Sequence, residues 1–208
     1  MHNVLFPYAR AHIQEFLDRH GADPAVEADI ALLRAEHGAE TAPPAMASVT
    51  AYVRWLMDRD SKSTSLKSLQ GKIWAQGYQA GELRGEVYPD VPRALERWRR
   101  QEIDIAIFSS GSVQAQRNLF ATTTAGDLTR FIRAYFDTAT GPKTVSHSYA
   151  RIAAALERSP SEVLFLSDVA AELDAARLAG MQTRLCVRAP EAAAPVKEHP
   201  IVRSFDEV

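Results

Sequence analysis

Three short stretches carry residue types suited to chemistry on a phosphate. The first is Ser109-Ser110-Gly111-Ser112, small and hydroxylated, directly ahead of helix-forming sequence that begins at Val113. A helix start offers free N–H groups and the positive end of the helix dipole, and a serine hydroxyl adds a further donor, a combination that suits phosphate. The same stretch also reads as an ordinary serine-capped helix. The second is Lys143, in Gly141-Pro142-Lys143-Thr144, just ahead of another helical run. The dipole gives a cation no benefit there, so Lys143 either points to solvent or reaches back as a partner for phosphoryl oxygens. The third is Asp168, followed four residues later by Glu172. Two carboxylates so spaced can offer oxygen ligands to a hard cation such as Mg²⁺, or Asp168 can simply cap the helix behind it.

Ser109 and Asp168 each stand at the carboxyl end of a strand that turns into a helix. Residues 103–108 are rich in β-branched side chains, 163–166 form a continuous apolar run, and 134–136, 183–187 and 201–202 add shorter strand candidates. Helical sequence lies between the strands from Gly85 onward. Such alternation predicts an α/β fold with a doubly wound parallel sheet and right-handed crossovers, which places its chemistry at the carboxyl edge of the strands. The first third has no strand-like stretch. Apolar stripes run through Leu5, Ile13 and Phe16, through Val26, Ile30 and Leu33, through Val49, Val53 and Leu56, and through Leu66, Leu69 and Ile73. Asp23-Pro24 marks one helix start. Two regions are expected, a helical one at 1–82 and an α/β one at 83–208.

Composition narrows the function classes. A net charge of −2 argues against a nucleic-acid partner or an acidic membrane surface, because neither finds a basic patch. No apolar stretch reaches transmembrane length and no signal peptide opens the sequence, so a cytoplasmic protein is expected, with a monomer as the oligomeric expectation. The single cysteine, Cys186, forbids an internal disulfide and reads as a small buried hydrophobe. The six histidines are scattered, with no pattern suited to zinc.

Serine at one strand end, then lysine before a helix, then aspartate at another strand end is the order of the later motifs of the haloacid dehalogenase-like hydrolases. Longer runs resemble the enolase-phosphatase (acireductone synthase) family of methionine salvage. They include Ser65-Leu66-Lys67-Ser68-Leu69-Gln70-Gly71, Gly85-Glu86-Val87-Tyr88-Pro89-Asp90-Val91-Pro92, Phe108-Ser109-Ser110-Gly111-Ser112-Val113-Gln114-Ala115-Gln116 and Leu164-Phe165-Leu166-Ser167-Asp168-Val169. The resemblance implies a haloacid dehalogenase-like core with a helical cap. It implies that Ser109, Ser110, Gly111 and Lys143 hold the substrate phosphate, with Ser109 and Lys143 in catalytic roles, and that Asp168 and Glu172 serve Mg²⁺. The implied substrate is the small phosphorylated diketone 2,3-diketo-5-methylthiopentyl 1-phosphate, which is enolised and dephosphorylated.

One departure stands against these agreements. The family opens with a central strand ending in Asp-x-Glu-Gly-Thr, whose first aspartate attacks phosphorus, and residues 1–208 lack it. Asp104 lies early in its strand and Asp90 precedes a helix, so neither substitutes. The chain as it stands is expected to be inactive, and two alternatives follow: a non-catalytic phosphometabolite-binding module, or another cap-bearing phosphatase.

Overall fold

In the computed structural model, residues 2–39, 48–61, 63–188 and 199–208 are described. They divide into two compact units, Met1–Arg84 and Gly85–Val208.

The first unit is helical, with α1 (His2–His20), α2 (Pro24–Ala39), α3 (Val49–Asp58) and α4 (Thr64–Gln79). Local sequence sets the helix starts. Pro24 opens α2, where its missing N–H costs nothing. Ser48 accepts the Ala51 N–H at 3.1 Å to start α3, and Ser63 accepts the Leu66 N–H at 3.0 Å to start α4. The apolar stripes meet in one core, where Ile13, Leu33, Val53, Leu56, Leu69 and Ile73 are almost wholly removed from water.

The second unit alternates α5 (Asp90–Arg100), β1 (Ala106–Phe108), α6 (Val113–Ala121), β2 (Ala134–Phe136), α7 (Ser146–Ala155), β3 (Leu164–Ser167), α8 (Ala170–Leu178), β4 (Gln182–Cys186) and β5 (Ile201–Val202). Every strand pairing is parallel: β1 with β2, β3 with β4, and β4 with β5. The expected alternation and parallel pairing are therefore present. A single continuous sheet is not: among the described residues β1 and β3 have no strand on their inner edges, and the strands form a pair and a trio. The two pieces share their covering layers. On one face the Tyr149 ring of α7 stands edge-on to Phe108 of β1 and Phe165 of β3, with centroids 5.6 and 4.9 Å away. On the other face Ile107 and Leu166 pack into the core of Leu95 and Trp98 from α5, as the period-2 alternation of strands requires.

The first strand begins later than its composition suggests. Glu102 adopts φ +58° at the exit of α5, Ile103 is half exposed, and Asp104 turns outward to Arg133 and Arg158. β-branched residues alone could not override that turn. At the other end of the unit, Asp90 clasps the final residues to the start of α5. Its buried carboxylate accepts the Phe205 N–H at 2.6 Å, an Arg188 N–H at 2.6 Å and the Ser204 hydroxyl at 3.1 Å. Burial alone would raise its pKa, but these donors together hold it below the ordinary carboxylate value. The Arg188 guanidinium lies between the rings of Tyr88 and Phe205, 4.4 and 4.7 Å from their centroids. Among the described residues no helix is long and apolar enough to cross a membrane.

Candidate active site

The serine-rich turn after β1 divides its labour. Ser112, rather than Ser109 or Ser110, caps α6 by accepting the Ala115 N–H at 3.2 Å. That leaves Ser110 exposed and Ser109 at the strand end, where its hydroxyl oxygen accepts the Gly111 N–H at 3.2 Å. The first N–H of α6, from Val113, goes to Asp137 just past β2 at 3.2 Å, and the other Asp137 oxygen accepts the Ala139 N–H at 2.9 Å. Gln116 donates to both the Gly111 and Phe136 carbonyls, at 2.8 and 2.9 Å.

The turn carrying Lys143 is fixed by α7. Gly141 has φ +145°, and a Cβ there would lie 2.3 Å from the Ser148 hydroxyl, so only glycine fits. Ser148 donates to the Pro142 carbonyl at 2.8 Å, and Tyr149 donates to the Lys143 carbonyl at 2.6 Å. Tyr149 is fully buried. Burial, reinforced by the Glu172 charge, pushes its hydroxyl pKa well up, so it stays a neutral donor. With its backbone so held, Lys143 turns away from solvent. Its Nζ is 2.7 Å from Glu172 Oε2 and 5.7 Å from the Phe108 ring centroid, beside the end of β1.

At the end of β3, the Ser167 hydroxyl donates to the same Glu172 oxygen at 2.9 Å and accepts the Val169 N–H at 3.1 Å. Val169 stands at the N-cap of α8 with no side-chain cap. The capping role open to Asp168 is thus not taken up, and Asp168 stays exposed at the strand end. Glu172 is buried in the first turn of α8, where the helix dipole favours its negative charge. The structure therefore brings Lys143 and Glu172 into contact and sets Ser109, Lys143 and Asp168 in the connections that follow β1, β2 and β3. Among the described residues no three His, Cys, Asp or Glu side chains converge as a metal cage. Mg²⁺ needs no such cage, since it keeps several waters and takes one or two carboxylates beside substrate oxygens. Asp168 fits that demand as a free carboxylate, whereas Glu172 is engaged by a lysine and a hydroxyl.

Several positioning groups went unread in the sequence. Tyr149 has the spacing of a core residue on an amphipathic helix, and its hydroxyl gives no periodic signal. Asp137 follows a strand directly, as Asp168 does, and that position was its only sequence signal. Cys186, at the end of β4, is only partly buried, and burial pushes its thiol pKa up.

Comparison with known proteins decides what this edge belongs to. The description "haloacid dehalogenase-like hydrolase" fits residues 5–180. Enolase-phosphatase E1 of Synechococcus elongatus is 51% identical over 213 residues, spanning 99% of this chain and 89% of its own length. The chain belongs to the enolase-phosphatases of the haloacid dehalogenase-like hydrolases. It is a phosphatase by that membership. Enolase-phosphatase E1 of Pseudomonas aeruginosa is also similar, 46% identical over 206 residues and 99% of this chain. Among solved structures, the UTR4 protein from Saccharomyces cerevisiae superposes with a TM-score of 0.79 at 32% identity, covering 99% of this chain and 90% of its own. CbbY from Rhodobacter sphaeroides, solved in complex with phosphate, has a TM-score of 0.57 at 14% identity and shares the fold alone.

Proposed function

We propose that this carboxyl edge binds the phosphate of 2,3-diketo-5-methylthiopentyl 1-phosphate with Mg²⁺, for enolisation and dephosphorylation to the acireductone in methionine salvage. The observation that carries the proposal is the 2.7 Å contact of Lys143 with Glu172, which aims a cation from the turn after β2 toward the ends of β1 and β3. In this account the Ser109, Ser110 and Gly111 turn holds phosphate oxygens, and Lys143 neutralises their charge. Glu172 and Ser167 orient Lys143. Asp168 would hold Mg²⁺, which supplies charge stabilisation to an enediolate and to a transferring phosphoryl group. The test is turnover of the diketo phosphate beside a generic phosphomonoester, each with and without Mg²⁺. A preference for the generic ester would favour a different cap-bearing phosphatase.

One observation supports a binding role for residues 1–208 taken alone. Covalent phosphoryl transfer needs a free carboxylate nucleophile. At this edge Asp137 accepts two backbone N–H bonds and Glu172 is paired with Lys143, while this proposal gives the exposed Asp168 to the metal. In this reading these residues bind and orient a phosphate rather than attack it. Release of phosphate from the diketo phosphate at an enzymic rate by residues 1–208 would refute this assignment.

A further inference from the structure

Gln116 sits one turn into α6, 6% exposed, with its side chain under the serine-rich turn. Its amide nitrogen donates one hydrogen to the Gly111 carbonyl at 2.8 Å and one to the Phe136 carbonyl at 2.9 Å. The Phe136 carbonyl also accepts the Ser109 N–H at 3.1 Å. One side chain therefore ties the turn after β1 to the end of β2. The two carbonyl acceptors fix which way the amide points, because the flipped arrangement would set three oxygens against one another.

The bond on the other side of the amide is missing. Gln116 Oε1 is buried without a partner among the described residues. Leaving a buried acceptor unpaired is costly, so an apolar side chain of the same volume would serve packing better. What the glutamine supplies and leucine could not is the pair of donors that hold the Ser109–Gly111 backbone in one shape. We infer that Gln116 is a positioning residue, which sets the turn that receives the substrate phosphate. This rests on the proposed phosphate site, but the shape of the turn can be read without a ligand.

The experiment compares the 208-residue chain with Gln116→Leu and Gln116→Met, the second being unbranched and easier to pack. Amide hydrogen exchange is followed at Ser109 and Gly111, thermal midpoints are recorded, and inorganic phosphate is titrated in by calorimetry. Both variants are expected to exchange those amides faster and to bind phosphate about tenfold more weakly, while melting close to the parent. A merely structural glutamine would lower the midpoint and leave exchange in the turn and phosphate affinity at parental values, and that result overturns the inference. If the parent binds no phosphate, the proposed function fails, and the exchange rates alone decide whether Gln116 shapes the turn.

Discussion

Lys143 and Glu172 form a largely buried ion pair whose members also touch other groups, the Phe108 ring on one side and the Ser167 hydroxyl on the other. Removing one partner of such a pair strands the other charge, so its loss is felt well beyond the pair's own attraction. Tyr149 adds a neutral hydroxyl that fixes the Lys143 backbone. Tyr149→Phe is expected to cost about 1 kcal/mol in urea-unfolding stability while keeping the ring contacts with Phe108 and Phe165. A loss near 3 kcal/mol would mean that the ring had moved. Asp168 is exposed and uncapped, so Asp168→Ala is expected to leave the melting temperature within a few degrees. The same change is expected to abolish Mg²⁺ binding measured by titration calorimetry. Unchanged Mg²⁺ affinity would return Asp168 to an ordinary surface role.

The turns between elements do most of the positioning. Gly141 is held where only glycine fits, by its φ of +145° and by the nearby Ser148 hydroxyl. Gly141→Ala is therefore expected to destabilise by about 2 kcal/mol or more and to raise the KM for any phosphorylated substrate through displaced Lys143. A stable variant with parental KM would show that the turn does not set the lysine. Such turns also mark how far the sequence could be read. The strand at 134–136 was legible because a short apolar run between helical stripes has few alternatives. Ser109, Lys143 and Asp168 were legible as candidates because their types stand at strand ends or helix starts. Their mutual arrangement was not, since the Lys143–Glu172 contact spans 28 residues of intervening chain and depends on Ser148 and Tyr149 gripping a turn. The serine cap was legible too, but which serine makes it depends on where Phe108 ends its strand. The late start of β1 was hidden because the turn at Glu102 is set by the exit from α5.

Across the whole second unit, the clasp at Asp90 ties the last residues to the helix that precedes β1. Its folded pKa lies below the ordinary value of 3.8, so the stabilisation it gives is fully present above about pH 4 and is lost as pH falls through the folded value. Asp90→Asn is expected to lower stability by about 2–3 kcal/mol at pH 7 and to flatten the acid limb of the stability profile. Urea midpoints at pH 7, 4 and 3 check this, and an acid limb as steep as the parent's would place the titration elsewhere. The strand pair and the strand trio, covered on one face by α7 and on the other by α5, together present one carboxyl edge with a serine turn, a lysine and an aspartate. The most direct test of that edge is calorimetric titration of the 208-residue chain with inorganic phosphate, with and without Mg²⁺, beside Lys143→Met. A single saturable site, tightened by Mg²⁺ and weakened at least about tenfold in the lysine variant, is the predicted result. Phosphate binding that ignores both Mg²⁺ and the loss of Lys143, or no binding at all, would contradict it.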